Sequence, residues 1–156
     1  MQQGTTERRQ ETTTETTTEE LRPRVGVGVM VVRDGKVLMG KRITSHGSGE
    51  WAFWGGHLEH LETLEECARR EVREEIGIEI TNLKFLCVSN TRQYAPKHYV
   101  DVGYVAEIAR GEPQNLEPHK REQLEWFDVN NPPSPMFGLC YNYLEALRTG
   151  RTYFDA

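Results

Sequence analysis

Apolar residues along this chain alternate with polar ones in several segments, which predicts a sheet. A valine-rich run over residues 25–33 stops at Asp34-Gly35, and a second apolar run follows over residues 36–42. Asp-Gly between two such runs is typical of a β-hairpin, so two paired strands are predicted at the start of the fold. Further strands are predicted over residues 83–94, 98–108 and 124–129.

The spacing of apolar residues changes to three or four in two segments, which predicts helices. In the first, Thr63 and Glu66 have the spacing of a capping box, and Gly77 supplies a left-handed residue at the end. The apolar stripe between these ends is formed by Leu64, Cys67, Ala68, Val72 and Ile76. A second amphipathic helix is predicted over residues 136–147. We expect both helices to pack one face against the sheet.

These elements predict one α/β domain of the α+β type. Antiparallel strands around an inserted helix favour a mixed sheet sandwiched between helices over a parallel doubly wound sheet. The chain has 156 residues, enough for one ordinary domain with its own core. Residues 1–22 are mostly Thr, Glu, Gln and Arg, so we predict a disordered tail there and a folded domain over residues 23–156.

Composition argues against several classes of partner. The net charge is -5 and no long Lys/Arg run occurs, so neither a general nucleic-acid surface nor an anionic membrane surface is expected. No apolar run is long enough to span a bilayer, and the N-terminus lacks the apolar core of a signal peptide. Three cysteines at unrelated spacings predict reduced, buried thiols. We therefore expect a cytoplasmic protein.

Three carboxylates are concentrated on the polar side of the first predicted helix. Glu74 and Glu75 follow Glu71 by three and four residues, so the side chains share one patch of surface. Like charges at this spacing destabilise a helix, and Mg²⁺ or Mn²⁺ relieves the repulsion because these hard cations prefer carboxylate oxygens. The alternative from the residues alone is a solvated acidic face, balanced by Arg69, Arg70 and Arg73.

The residues around this patch resemble a family signature over a fixed register. The matching positions are Gly56, Glu62, Arg70, Glu71, Val72, Glu74, Glu75, Gly77 and Ile78. Their spacing resembles the signature of the Nudix hydrolases, whose loop, helix and second loop hold divalent metal against a diphosphate. The runs GGHLE and EPQNLEP resemble the branch that includes nucleotide-pool sanitising enzymes and plant relatives that hydrolyse prenyl diphosphates. The resemblance implies the Nudix fold.

The resemblance also implies roles for residues in and beside the box. Glu71, Glu74 and Glu75 are expected to be the catalytic metal ligands, with Mg²⁺ or Mn²⁺ as cofactor. The supporting residues of the box are expected to be Glu62, Arg70 and Gly77. Substrate contacts are expected at Gly55 and Gly56, where the backbone approaches the phosphates.

Two further roles follow from the resemblance outside the box. Arg42, at the end of a predicted strand, is expected to contact the substrate phosphates; the alternative is a surface ion pair. In several Nudix enzymes an acid in the loop near EPQNLEP reaches the metal site as ligand or general base. Glu122 is the candidate here and Glu117 the reserve, with exposed loop carboxylates as the alternative.

Trp54 departs from the family pattern, which usually has proline before the paired glycines. Proline would fix the backbone entering the loop, whereas tryptophan leaves it free and adds a large indole near the expected diphosphate. Three consequences are open: a changed substrate choice through contact with the indole, a blocked or slowed site, or a ring turned onto the surface.

Several nearby residues have two readings each. Gly26 and Gly28 lie on one face of the first strand, where they either line a site or make room for a bulky neighbour. Glu59 either assists metal or water, or bonds backbone in its loop. His57 is expected to pack in the loop. Phe137 either joins the apolar stripe of its helix or lines a substrate pocket.

The expected function is metal-dependent hydrolysis of a diphosphate. The resemblance favours a nucleoside triphosphate, such as the modified purine 8-oxo-dGTP, split to monophosphate and pyrophosphate. Prenyl diphosphates and nucleotide sugars are alternative substrates. A Nudix-fold binding or regulatory module with weak turnover is the alternative from another class. Partners are expected to be small-molecule diphosphates, with no nucleic acid and no membrane, and a homodimer is expected by family analogy only.

Overall fold

A computed structural model describes residues 21–44 and 46–155. Most of the predicted tail, residues 1–20, lies outside the described residues. The elements in chain order are β1 (Arg24–Arg33), β2 (Lys36–Arg42), β3 (Trp51–Ala52), β4 (Trp54–His57), α1 (Leu64–Ile76), β5 (Glu79–Thr91), β6 (Tyr99–Arg110), β7 (Arg121–Asp128), α2 (Gly138–Thr149) and β8 (Tyr153–Asp155). The predicted strands and helices are therefore present, with shifted ends.

The strands form one mixed sheet around β1. The order is β3-β2-β1-β6-β5-β8, with β4 also pairing with β1 and β7 with β2. β1 runs parallel to β6, whereas its pairings with β2 and β4 are antiparallel. Only two residue pairs join β1 to β2, so the predicted hairpin exists but contributes little of the sheet. The mixed α+β architecture is confirmed.

Two apolar clusters lie on opposite sides of the sheet. Helix α1 packs its predicted stripe against Val27, Val29 and Val31 of β1. Helix α2 packs with Met30 and with residues of β2 and β5 in the second cluster. The predicted buried thiols are confirmed: Cys67, Cys87 and Cys140 are all buried and free. Burial of apolar side chains on both faces holds the helices to the sheet.

Two glycine features are explained by close packing. Residues 54–57, expected as a loop, form strand β4, which pairs with β1. This pairing brings Gly55 so close to β1 that a Cβ there would be 2.1 Å from the Val27 carbonyl oxygen. At Gly28 a Cβ would lie 2.0 Å from the Tyr143 hydroxyl oxygen. Gly28 therefore makes room for a bulky neighbour, Tyr143, which is one of the two roles predicted for the glycines on this strand face.

Candidate active site

Helix α1 carries the acidic patch, and local interactions fix both of its ends. Thr63 caps the start: its hydroxyl accepts from the Glu66 N–H at 3.1 Å, and the Glu66 carboxylate accepts from the Thr63 N–H at 2.8 Å. Gly77 ends the helix in the left-handed conformation with a φ of 70°. Both ends agree with the predicted capping box and glycine stop.

The carboxylates of Glu71 and Glu75 face the glycines of β4. The Gly55 N–H donates to Glu75 Oε1 at 2.7 Å. A Cβ on Gly56 would lie 2.4 Å from Glu71 Oε1, so glycine is required there for the carboxylate to reach the strand. The paired glycines therefore bring the helix acids and the strand backbone together.

Arg70 links the glycine segment to the helix carboxylates. Its guanidinium forms a bidentate pair with Glu62, with Nε to Oε2 at 2.7 Å and Nη2 to Oε1 at 3.0 Å. Its Nη1 also donates to Glu71 at 2.8 Å and to Glu74 at 3.3 Å. The bidentate contact with Arg70 lowers the pKa of Glu62 to about 2. These are the contacts expected of two supporting residues.

Burial and mutual repulsion shift the pKa values of the inner carboxylates. Burial is the main cause that raises the pKa of Glu75 to about 7, against the opposing effect of Arg121. Burial also raises the pKa of Glu71. The charge of Glu117 also contributes to the rise in pKa at both carboxylates.

Glu117 reaches this group from the loop between β6 and β7. The backbone of that loop is tied to the end of α1, where the Leu116 N–H donates to the Glu75 carbonyl oxygen at 3.0 Å. Lys120 Nζ lies 3.1 Å from Glu117 Oε2. Glu122, the first candidate from the sequence, is instead exposed at the start of β7. The reserve candidate is thus the loop acid whose position fits the site.

Arg42 is half-buried and pairs with Arg121 across strands β2 and β7. Its Nε donates to the His46 carbonyl oxygen at 3.0 Å, and its guanidinium lies 4.6 Å from the Phe137 ring centre. Burial lowers the pKa of Arg42, while the charge of Glu75 opposes that shift. Phe137 itself stacks on Tyr94 with ring centres 4.9 Å apart. Arg42 therefore lies within electrostatic reach of the acidic group.

Trp54 does not turn its ring onto the surface, which was one of the three open consequences. Its side chain is only 2% exposed and belongs to the apolar cluster beneath α1, so it offers no open face to a substrate. The indole N–H donates to the Leu38 carbonyl oxygen at 3.0 Å. The prediction that Trp54 contacts the substrate is therefore wrong. Its side chain lies in the core, because alternation along β4 turns it inward.

Two loop residues after the glycines have ordinary partners. His57 is exposed and its Nε2 lies 3.0 Å from the Tyr99 hydroxyl oxygen. The two rings stack with centres 5.4 Å apart, so packing is the observed role of His57. Glu59 is also exposed, and its carboxylate lies 3.7 Å from Arg70 Nη1.

Arg121 is the site residue that sequence reasoning missed. It is 6% exposed, and its Nη2 lies 3.8 Å from Glu75 Oε2. In the sequence it lies within His-Lys-Arg-Glu-Gln, a run typical of a solvated strand end. Nothing in that local pattern indicates burial, so only the packing of β7 against β2 shows it.

The donor atoms of this site fit a hard cation. In the described ranges 21–44 and 46–155, no three Asp, Glu, His or Cys side chains form a metal-binding arrangement, and Arg70 contacts both Glu71 and Glu74. The Glu74 side chain is 53% exposed and lies 3.3 Å from Arg70 Nη1. Glu71, Glu75 and Glu117 repel one another, and carboxylate oxygens of this kind suit Mg²⁺ or Mn²⁺.

Comparison with known proteins identifies the class to which this fold and site belong. Residues 22–139 match the NUDIX domain, and the chain belongs to that family. Nudix hydrolases generally need divalent metal ions. A crystal structure of the MutT NUDIX hydrolase from Burkholderia pseudomallei has 36% sequence identity and a TM-score of 0.78, covering 81% of this chain and 98% of that chain. The expected family and fold are confirmed.

The curated relatives are named for different activities. An oxidized purine nucleoside triphosphate hydrolase from Danio rerio is 33% identical, covering 67% of this chain and 66% of the relative. An ADP-ribose pyrophosphatase from Methanocaldococcus jannaschii is 31% identical, covering 75% and 69%. An NAD-capped RNA hydrolase NudC from Pseudomonas putida is 32% identical, covering 79% of this chain but 43% of its own length. All three names describe hydrolysis of nucleotide derivatives.

The helices offer no membrane-spanning segment. Across the described residues, neither α1 nor α2 has the length and apolar character needed to cross a bilayer.

Proposed function

We propose that this chain is a divalent-cation-dependent pyrophosphohydrolase of nucleoside triphosphates, with a modified purine such as 8-oxo-dGTP as the first candidate substrate. The products would be the nucleoside monophosphate and pyrophosphate. One observation carries the proposal: Glu71 and Glu75 of helix α1 lie against the two glycines of β4, and the loop that carries Glu117 is bonded to the end of the same helix. The zebrafish relative, named as an oxidized purine nucleoside triphosphate hydrolase, supports the choice of substrate.

The proposed cation site consists of Glu71, Glu74 and Glu75, with Mg²⁺ or Mn²⁺ as the metal. A bound divalent cation supplies charge neutralisation at the phosphates and Lewis acidity. We assign Glu117 to accept the proton of the attacking water, because its loop is bonded to α1 at the Glu75 carbonyl oxygen and its charge acts on Glu71 and Glu75. This assignment replaces Glu122, whose exposed position on β7 supports no such role.

The remaining assigned residues bind the substrate or hold helix α1 in place. Arg42 is assigned to the substrate phosphates, since its guanidinium lies within electrostatic reach of the acidic group and is the natural partner for phosphate oxygens. Glycines 55 and 56 bring backbone to the same place. Glu62 and Arg70 hold the helix against the glycine segment.

The regulatory-module alternative rested on Trp54 beside the diphosphate. Because the indole lies in the core, that observation no longer favours a site with weak turnover. Hydrolysis of a prenyl diphosphate or of a nucleotide sugar would use the same acidic group. Only an assay with each substrate therefore distinguishes these alternatives from the proposed function.

A substrate panel tests the proposal. The purified chain is assayed with Mg²⁺ on 8-oxo-dGTP, dGTP, ADP-ribose, a UDP-sugar and geranyl diphosphate, and products are separated by chromatography. We expect the highest kcat/KM for a nucleoside triphosphate, with monophosphate and pyrophosphate formed in equal amounts. Preferential hydrolysis of ADP-ribose, the UDP-sugar or geranyl diphosphate would contradict the proposed substrate class.

A further inference from the structure

Arg121 is a buried cation bound to the backbone of β2, of β3 and of the residue that follows β3. Its Nη1 donates to the carbonyl oxygens of Gly40 at 2.9 Å and Ala52 at 3.1 Å, and its Nη2 donates to that of Phe53 at 2.8 Å. A buried guanidinium is costly unless its donors find acceptors, and here three backbone carbonyls accept from three of its five N–H groups. Arg121 therefore holds residues 52–53 against β2.

The same guanidinium also reaches a carboxylate of the site. Arg121 Nη2 lies 3.8 Å from Glu75 Oε2, while Glu75 Oε1 accepts from the Gly55 N–H at 2.7 Å. Glu75 is therefore contacted from two sides. One contact is the Gly55 N–H, and the other is the Arg121 guanidinium, which is itself bonded to the carbonyls of Ala52 and Phe53. Arg70, by contrast, contacts Glu71 and Glu74.

Trp54 covers the guanidinium from the core side. The Arg121 guanidinium carbon lies 4.8 Å from the Trp54 ring centre, a cation–π distance. The bond from the indole N–H to Leu38 fixes the ring, and Gly40 leaves room for it, since a Cβ there would lie 2.7 Å from the ring. Tryptophan at the usual proline position therefore serves to enclose Arg121.

We propose that Arg121 is a positioning residue for the reaction, which sets the orientation of the Glu75 carboxylate relative to the backbone at Gly55. This inference rests on the proposed function of the acidic group. Arg121 acts through Glu75 and does not itself contact the substrate. Groups that orient a metal-binding carboxylate typically change metal affinity by about 10- to 100-fold when mutated.

The test compares two buried or half-buried arginines in matched variants. Arg121→Lys keeps the charge but replaces the planar guanidinium, which donates to three carbonyls and lies 3.8 Å from Glu75, with a single ammonium. The control is Arg69→Lys: Arg69 Nη1 donates to the Ile80 carbonyl oxygen at 2.7 Å, on the same helix but away from Glu75. Mn²⁺ affinity is measured by electron paramagnetic resonance without substrate, in the parent chain and in a Glu75→Gln background.

We expect Arg121→Lys to weaken Mn²⁺ binding about tenfold in the parent chain. In the Glu75→Gln background the same change should have an effect of about twofold or less, because the partner through which it acts has been altered. Arg69→Lys should change Mn²⁺ affinity by about twofold or less in both. The Gly55 amide signal in the metal-free protein should also shift on Arg121→Lys.

Three results would overturn the positioning role. These are unchanged Mn²⁺ affinity in Arg121→Lys, an equal loss with and without Glu75, or failure of Arg121→Lys to fold, which would assign the arginine to the core alone. The proposed function is judged separately on the parent chain: absence of Mn²⁺ binding and of hydrolysis there counts against that function. Binding by the parent with no effect of Arg121→Lys counts only against this inference.

Discussion

Arg70 and Arg121 serve the same acidic helix from two very different environments. Arg70 lies on α1, is 21% exposed at its side chain, and finds its partners within thirteen residues along the chain. Arg121 comes from β7, is 7% exposed at its side chain, and reaches Glu75 across 46 residues of sequence, counted as 121 minus 75. Arg70 contacts Glu71 and Glu74, whereas Arg121 contacts Glu75.

The difference shows how burial changes the consequence of an ion pair. A half-exposed pair competes with water, so each bond contributes modestly to stability. A buried charge has lost its hydration, and its partners are needed to keep it in the core. We therefore expect loss of Arg121 to be felt through the whole fold, and loss of Arg70 mainly around the box.

The largest expected effect is that of Arg121→Met on the free energy of unfolding. The change leaves Glu75 buried without its cation and three carbonyl oxygens without donors, so a loss of about 3–5 kcal/mol is expected. Urea denaturation measures it, with Arg69→Met as the control. A loss below about 1 kcal/mol would show that water replaces the guanidinium.

Arg70→Met is expected to cost less. It removes the bidentate bond to Glu62 and the contact with Glu71, both partly exposed, and a loss of about 1–3 kcal/mol is typical of such charged bonds. Arg73→Met provides the comparison, because Arg73 forms an exposed pair with Glu79 and should change stability by about 1 kcal/mol or less. Equal losses in these two variants would contradict a bracing role for Arg70.

The smallest expected effect is in the acid dependence of stability. The folded pKa of Glu62 is lowered to about 2 from its ordinary 4.5, so this group stabilises the fold above pH 4.5 and the contribution is lost as pH falls toward 2. Glu62→Gln cannot titrate. Its stability, followed by urea denaturation from pH 6 to 2, should therefore fall less steeply than that of the parent; parallel curves would contradict the Arg70 pair.

Features set by neighbours in sequence were predictable from the sequence. Thr63, Glu66 and Gly77 define the ends of α1 through bonds within three or four residues, so their spacing alone indicates them. The alternation in β6 and the Asp34-Gly35 turn are likewise local. The family signature added the roles of the box residues to these elements.

Features set by packing between distant segments were not predictable in the same way. Paired glycines after Trp54 indicated a loop, but close approach to Val27 makes them a strand. The inward turn of Trp54 depends on Gly40 and Arg121, which are separated from it by 14 and 67 residues, counted as 54 minus 40 and 121 minus 54. The choice of Glu117 over Glu122 depends on the path of the loop along α1.

The most direct test of the account is the Mg²⁺-dependent hydrolysis of 8-oxo-dGTP by Glu74→Gln, with Glu65→Gln as control. Both carboxylates lie on α1 and both are exposed, but only Glu74 is linked to Glu71, through their shared contact with Arg70. We predict that kcat/KM falls by about 10²- to 10³-fold in Glu74→Gln and stays near the parent value in Glu65→Gln. Equal activity in parent, variant and control would contradict the assignment of this helix as the catalytic centre.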